Sequence, residues 1–253
     1  MCLVACAWRA TKEFPFILAA NRDEFHDRPS APANWWPHAP DVLGGLDLRA
    51  GGSWLAIDRS GRLATVTNIR GDHGKARDAR SRGHLVRDYL TQGQHTDTYM
   101  EQLRSEAPTY APFNLLLADN HSLTYYATAA VTPIELEPGV YGLSNAALDT
   151  PWPKVNKLKD ALSQALNQAD PTPHLFQALM DSEPAGDDQL PDTGIEIEWE
   201  RRLSAPFIRA ERYGTRCSTV ILQRADGTLR FAERRFDAQG NSVGGSEFTF
   251  RLA

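Results

Sequence analysis

The chain has 253 residues with 27 Lys and Arg against 32 Asp and Glu, and this net charge of −5 argues against a nucleic-acid-binding protein, which usually carries a basic surface. No apolar run approaches the roughly 20 residues of a membrane-spanning helix, and no basic segment precedes the first apolar run as in a signal peptide. Three cysteines without disulfide spacing are typical of a reducing compartment. We therefore expect a cytoplasmic protein that binds no nucleic acid and spans no membrane.

The apolar runs of the first half come in pairs around short polar turns. In chain order the pairs are CLVACAW with PFILAAN, SWLAID with LATVTN, and FNLLLAD with LTYYATA. Before the third pair, SRGHLVRDYLTQ and DTYMEQLRSEA show helical spacing of apolar residues. Consecutive hairpins predict antiparallel strands.

In the second half, two helices come before the last hairpin. PWPKVNKLKDALSQALNQ has the clearest helical stripe, and PHLFQALMD is a shorter helix. TVILQR and LRFAERRF form a last hairpin before an alternating strand, SEFTFRLA. Two stretches rich in Gly, Pro and Asp, NWWPHAPDVLGGLDLRAGG and EPAGDDQLPDTGIE, indicate long loops.

Several strand cores are apolar over four or five residues, which is typical of strands covered on both faces. With helices between the hairpins, this predicts an α+β fold, a layered sandwich of two mainly antiparallel sheets between helix layers. No linker marks a boundary, so we expect one domain over residues 1–253.

Cys2 follows the initiator methionine and is small enough for an aminopeptidase to remove Met1. It would then carry a thiol and a free α-amine, and the amine can take the thiol proton, as in N-terminal nucleophiles. The alternative is a small buried residue at the start of a strand. Cys6, four residues on, is interpreted as core.

Polar residues at strand ends are the candidate partners of Cys2. Asn21, Arg22, Asp23 and Glu24 end the second strand beside Cys2 if the first hairpin forms, and Asp23 can hold the α-amine. The alternative is a structural Arg22–Asp23 pair with a solvated Glu24.

Three more polar residues lie at the ends or starts of other strands. Asn68 and Asn145 end two strands and have the amides to stabilise an oxyanion, although turn or cap roles are the alternative. Arg216 opens a late strand and can lower the thiol pKa or bind a substrate anion, or form an edge ion pair.

Other chemistries have little support. The seven histidines show no HxH or HExxH spacing, and no phosphate-binding glycine motif follows a strand, so we expect neither metal nor cofactor. Trp54 and Trp152 are candidates to line an apolar ligand pocket, although most tryptophans simply pack.

Ordered blocks of the sequence resemble the NRDE family, also called the transport and Golgi organization protein 2 family. They are NRDE, RPSAPANWW, GGLDLRAGGSWLAI, TNIRG, SRGHLV, APFNLLLAD, YGLSNAALDTPWPKV and YGTRCSTVIL. This resemblance implies the four-layer αββα sandwich of N-terminal nucleophile hydrolases. A more distant similarity to choloylglycine hydrolases and cysteine-type penicillin acylases implies catalytic roles for Cys2, Asp23, Asn68, Asn145 and Arg216.

Two functions follow from these residues and this resemblance. The first is a cysteine N-terminal nucleophile amidohydrolase that cleaves a linear amide of a small acylated substrate. The second is a non-catalytic carrier of an amphipathic ligand, haem or a long-chain acyl-CoA, related to the family's links to Golgi organization and secretion. Retention of Met1 would favour the carrier, because it locks the α-amine in a peptide bond.

Overall fold

A computed structural model describes residues 2–71, 79–130 and 132–253. The strands are β1 (Cys2–Trp8), β2 (Phe16–Phe25), β3 (Ser30–Trp36), β4 (Ala39–Asp47), β5 (Leu55–Asp58), β6 (Leu63–Asn68), β7 (Phe113–Ala118), β8 (Leu123–Ala127), β9 (Ile134–Glu135), β10 (Gly139–Leu143), β11 (Tyr213–Gln223), β12 (Thr228–Phe236) and β13 (Ser242–Arg251). The helices are α1 (Gly83–Thr91), α2 (Thr96–Glu106), α3 (Pro153–Ala165), α4 (Thr172–Leu179) and α5 (Ile197–Ser204).

The chain forms two compact units, and each is built on one antiparallel sheet. The first unit contains residues 2–27 and 138–251, and its six strands have the order β10-β1-β2-β11-β12-β13. The second contains residues 28–137 with 252–253, and its seven strands follow one another in chain order from β3 to β9. The predicted α+β class with two antiparallel sheets and helices is confirmed.

In the first unit, α3 and α4 pack on one face of the sheet. Leu3, Ala5 and Ala7 of β1 lie in one buried cluster with the apolar stripe of α3, Val155, Leu158 and Leu162. Because successive residues of a strand point to opposite faces, Cys2, Val4 and Cys6 lie on the other face. This alternation decides which polar residues can accompany Cys2.

In the second unit, α1 and α2 pack on the sheet through a separate cluster. The predicted apolar positions of α1 are all buried there, namely Leu85, Val86, Tyr89 and Leu90. Tyr99 and Met100 of α2 belong to the same cluster, and the Tyr99 hydroxyl donates to the carbonyl of Leu85 at 2.8 Å. Both helices predicted between the second and third hairpins are therefore confirmed.

The prediction of a long loop over residues 34–52 was wrong, because this stretch contains the end of β3 and all of β4. Two irregular points in the β3–β4 register lie beside Pro32 and Pro37. Proline is tolerated in such an edge strand, where its missing N–H breaks no sheet hydrogen bond. In β4, a Cβ on Gly44 would lie 2.7 Å from the carbonyl oxygen of Leu55 in the neighbouring strand, so glycine here permits close strand pairing. The second predicted loop is largely irregular, apart from a short 3-10 turn at Asp187–Gln189.

Gly142 of β10 permits the close approach of α3 to the sheet. A Cβ at this position would lie 2.5 Å from Cγ1 of Val155 and 2.8 Å from Cδ of Lys159. We expect Gly142→Ala to lower the unfolding free energy by about 1–3 kcal/mol, because the overpacked helix must shift. Urea denaturation measures this loss. Gly139→Ala is the matched control in the same strand, since its Cβ would meet only the Tyr141 side chain at 3.4 Å, and an equal loss there would contradict the explanation.

Candidate active site around Cys2

Cys2 is the first residue of β1 in the first unit. It lies opposite Arg22 of β2, and Arg22 lies in turn opposite Cys217 of β11. The predicted pairing of the first two strands is confirmed, and it brings the NRDE segment beside Cys2. Cys2 itself is partly buried, whereas Cys6 and Cys217 are buried.

The backbone of Asp23 contacts the sulfur of Cys2. Burial raises the pKa of the Cys2 thiol, and the charge of Asp23 raises it further, while Arg22 and a hydrogen bond from the main-chain N–H of Asp23 lower it. The net direction is upward, so the thiol is protonated at neutral pH. A nucleophilic Cys2 therefore needs a base beside it.

Asp23 is almost completely buried, with 1% of its surface exposed. Its Oδ1 accepts a hydrogen bond from the Thr215 hydroxyl at 2.7 Å, and the Tyr213 hydroxyl donates to its main-chain oxygen at 3.0 Å. Burial raises the pKa of the carboxyl, and the positive charge of Lys154 is the strongest described side-chain influence against that rise. These hydrogen bonds hold Asp23 in place, and burial disfavours its ionised form.

Ser144 and Asn145 follow β10 and fix the start of β1. The Ser144 hydroxyl lies 3.0 Å from the main-chain oxygen of Cys2 and 3.2 Å from Oδ1 of Asn145. Asn145 is 1% exposed. With its oxygen beside the Ser144 hydroxyl, the amide NH₂ of Asn145 is the donor that could meet an oxyanion.

Arg216 lies at an irregularity of β11, where the register with β2 shifts between Thr215 and Cys217. Its Nη1 donates to the main-chain oxygens of Phe25 at 2.9 Å and His26 at 3.0 Å. Burial lowers the pKa of the Arg216 guanidinium, and the neighbouring charge of Arg22 lowers it further. Arg216 is therefore held at the end of β2 and electrostatically coupled to Arg22.

Asn21 and Glu24 have different surroundings from Cys2. Asn21 lies opposite Leu3 on the helix-covered face, where its Nδ2 donates to the carbonyls of Leu179 at 2.8 Å and Pro206 at 2.9 Å. Its Oδ1 accepts from the Ser218 hydroxyl at 2.6 Å. These bonds tie β2 to the end of α4. Glu24 is partly buried, and its Oε1 accepts from the N–H of Phe25 at 2.9 Å.

Two predicted site residues, Asn68 and Trp54, belong to the second unit. Asn68 ends β6 opposite Phe113 of β7. The Trp54 ring lies against Gly45, where a Cβ would approach it to 2.2 Å. A role for either residue beside Cys2 stays a prediction.

Sequence reasoning missed Lys154 and Thr215. Lys154 lies in the first turn of α3, is 1% exposed, and has its Nζ 6.0 Å from the ring centre of Trp152, a predicted binding residue. One signal was present in the sequence, because a helix dipole disfavours a cation in the first turn. Thr215 carried no comparable signal.

Metal and membrane features are absent from the described parts of the chain. Among residues 2–71, 79–130 and 132–253, no three His, Cys, Asp or Glu side chains are grouped to hold a metal ion. Within the same residues, no helix has both the length and the apolar character needed to cross a bilayer.

Sequence comparison identifies relatives along nearly the whole chain. The sequence profile of one family, Transport and Golgi organisation 2, matches residues 1–238. The Transport and Golgi organization protein 2 homolog of Homo sapiens is 38% identical over 239 residues, covering 87% of this chain and 86% of the relative. The Drosophila melanogaster Transport and Golgi organization protein 2 is 31% identical over 245 residues, with 87% and 86% covered.

Two solved structures are more distantly similar. The Caenorhabditis elegans N-acylethanolamine-hydrolyzing acid amidase ortholog has a TM-score of 0.46 and 12% identity, with 88% of this chain and 92% of that chain covered. The C2A mutant of conjugated bile acid hydrolase from Clostridium perfringens has a TM-score of 0.41 and 10% identity, with 99% and 97% covered. Similarities this low carry no argument about chemistry, which rests on the residues around Cys2.

Proposed function

The chain belongs to the Transport and Golgi organisation 2 family, and from the residues around Cys2 we propose that it is a cysteine N-terminal nucleophile amidohydrolase. The observation that carries the proposal is the contact of the Cys2 sulfur with the main-chain N–H of the buried residue Asp23. The substrate class is a small molecule with a linear acyl amide.

The reaction begins after removal of Met1, which converts the main-chain nitrogen of Cys2 into an α-amine. The amine takes the thiol proton, and the thiolate attacks the amide carbon. Asp23 stabilises the resulting ammonium, and the NH₂ group of Asn145 donates to the oxyanion.

Collapse of the tetrahedral intermediate breaks the C–N bond and leaves a thioester on Cys2. The leaving amine takes the proton from the α-ammonium. Water then attacks the thioester, the α-amine accepts a proton from that water, and the proton returns to sulfur as the carboxylic acid leaves. The cycle needs no cofactor, because the chain supplies both nucleophile and base.

Arg22 supports the same chemistry through its charge. It lies directly opposite Cys2, and its charge lowers the pKa of the thiol against the effect of burial. Arg216, coupled to Arg22 and fixed to the main chain, adds positive charge on this side of β2. A substrate with an anionic group would meet this charge.

Intact-protein mass spectrometry tests the proposal directly. Protein that begins at Cys2 is incubated with a panel of N-acyl amides of increasing chain length, quenched with acid, and weighed for a thioester adduct. A mass increase equal to the acyl group, mapped to Cys2, supports the proposal. Absence of both adduct and released amine over the whole panel would count against it. Haem or acyl-CoA binding without any adduct would instead favour the predicted carrier function.

A further inference from the structure

Lys154 is a buried cation at an unfavourable position in the first unit. It occupies the first turn of α3, where the helix dipole opposes positive charge, and only 1% of its surface is exposed. A buried ammonium is costly unless opposite charge compensates it. An ordinary packing role would be filled at lower cost by Met or Leu.

Asp23 lies two residues beyond Asn21 along β2, so its side chain is on the sheet face that α3 covers, and it is the acidic residue on which the charge of Lys154 acts. Both residues are 1% exposed, and Lys154 is the first-ranked charge that opposes the upward shift of the Asp23 carboxyl pKa caused by burial. The other described groups that act on Asp23 are Thr215 of β11, by its hydrogen bond, and Arg22 of β2, by its charge. The charge of Asp23 in turn acts on the thiol of Cys2, and the main-chain N–H of Asp23 contacts the sulfur. The cluster therefore runs from Lys154 through Asp23 to Cys2.

We propose that Lys154 is a positioning residue of the Cys2 site, whose buried ammonium balances the Asp23 carboxylate so that the α-amine stays neutral and can accept the thiol proton. This proposal rests on the proposed function, since it assumes that loss of Met1 creates that amine. A carboxylate alone beside an amine favours the ammonium form, which is no longer a base. A second cation reverses that preference, as at other lysines and amines activated by a cationic neighbour.

The test measures the ionisation of Cys2 without a substrate. Protein that begins at Cys2 is alkylated with iodoacetamide between about pH 5 and about pH 10, and the rate at Cys2 is followed by peptide mass spectrometry. Cys6, which is buried with its pKa raised to about 12, shares a tryptic peptide with Cys2 and is distinguished from it by fragment ions, and buried Cys217 lies in a separate peptide. We expect Lys154→Met to move the midpoint of the rate curve up by about one pH unit, and Lys154→Arg to leave it in place.

The matched control is Lys157→Met on the same helix. Lys157 is half-exposed and paired with Asp181 at 3.0 Å, so its loss should leave the midpoint unchanged. Asp23→Asn keeps the Lys154 cation and removes the carboxylate, so it should move the midpoint to lower pH. This variant replaces Lys154→Met in the test if Lys154→Met does not fold. An unchanged midpoint in the folded variants, or an equal shift in Lys157→Met, overturns the proposal.

The result for Lys154 can be told apart from the result for the proposed function. A purely structural Lys154 would change the melting temperature and leave the midpoint in place. A shifted midpoint in a protein that forms no acyl adduct would retain the role of Lys154 and reject the amidohydrolase. An acyl adduct on Cys2 together with an unshifted midpoint would support the amidohydrolase and reject the role of Lys154.

Discussion

Under the proposed function, Cys2→Ala is expected to reduce amide hydrolysis by at least about 10⁴-fold, because the proposed acyl intermediate forms on the sulfur of Cys2. Cys6 lies on the same strand and face but is buried, with its pKa raised to about 12. Cys217 is also buried, and burial raises its pKa well above the ordinary value. Steady-state release of amine by both proteins, with equal concentrations of folded protein, measures the loss.

Two controls separate the chemistry of Cys2 from the packing of β1. Cys6→Ala removes a thiol from the same face of the same strand and should retain activity, with some loss of stability. An N-terminal extension that cannot be cleaved keeps the Cys2 thiol but blocks the α-amine, and should be nearly as inactive as Cys2→Ala. Activity of the extended protein comparable to that of the processed protein would contradict the role of the amine.

Replacing both buried charges, in the variant Asp23→Asn with Lys154→Met, is expected to abolish turnover and yet stabilise the fold. Well-packed neutral side chains in place of buried charged groups often raise the unfolding free energy, by about 1–4 kcal/mol. Both residues are 1% exposed, so solvent screening does not reduce the effect. Urea denaturation at neutral pH measures the gain.

The pH dependence of stability has a definite sign at Asp23. Burial raises the pKa of this carboxyl above the ordinary 3.8, so the folded chain holds the proton more tightly than the unfolded chain. The contribution of Asp23 to the unfolding free energy is therefore fully present below about pH 4, and it is lost as the pH rises through the raised pKa. The variant with both Asp23→Asn and Lys154→Met should not lose this stability as the pH rises.

A half-exposed ion pair that Lys157 of α3 forms with Asp181 provides the control. Lys157 and Asp181 lie 3.0 Å apart with 39% and 36% of their side chains exposed. Lys157→Met with Asp181→Asn should change stability by no more than about 1 kcal/mol and leave turnover intact. A double variant at Asp23 and Lys154 that is less stable than the parent would show that this pair contributes net stability, contrary to our expectation.

Local pattern was sufficient to predict the hairpins, α1, α3 and the pairing that brings Asp23 beside Cys2. Each of these depends on neighbours in sequence, either a turn between two apolar runs or a helical stripe. The same alternation along β2 separates Asn21 from Arg22 by face, and it could have assigned Asn21 to the helix side from sequence alone. The NRDE segment was instead treated as one polar group.

Features that depend on distant contacts were not predictable. The Pro- and Gly-rich segment of β3 and β4 becomes sheet because β5 lies beside it, and α5 follows an irregular stretch without a capping signal. Lys154 could be recognised as a misplaced cation, but Asp23, the carboxyl on which its charge acts, is separated from it by more than half the chain. Only the folded structure brings Lys154 and Asp23 to the same side of the sheet.

The hydrogen-bonding contact of the Ser144 hydroxyl with the carbonyl of Cys2 has a consequence for motion at the chain terminus. Terminal residues normally fray within nanoseconds, which would scatter a reactive group over many orientations. Here the second residue is held by a side chain more than a hundred positions away and by its pairing with Arg22. Trimming one amino acid would therefore expose a terminus that is already immobile, and the resulting group would be ready to react without any ordering step.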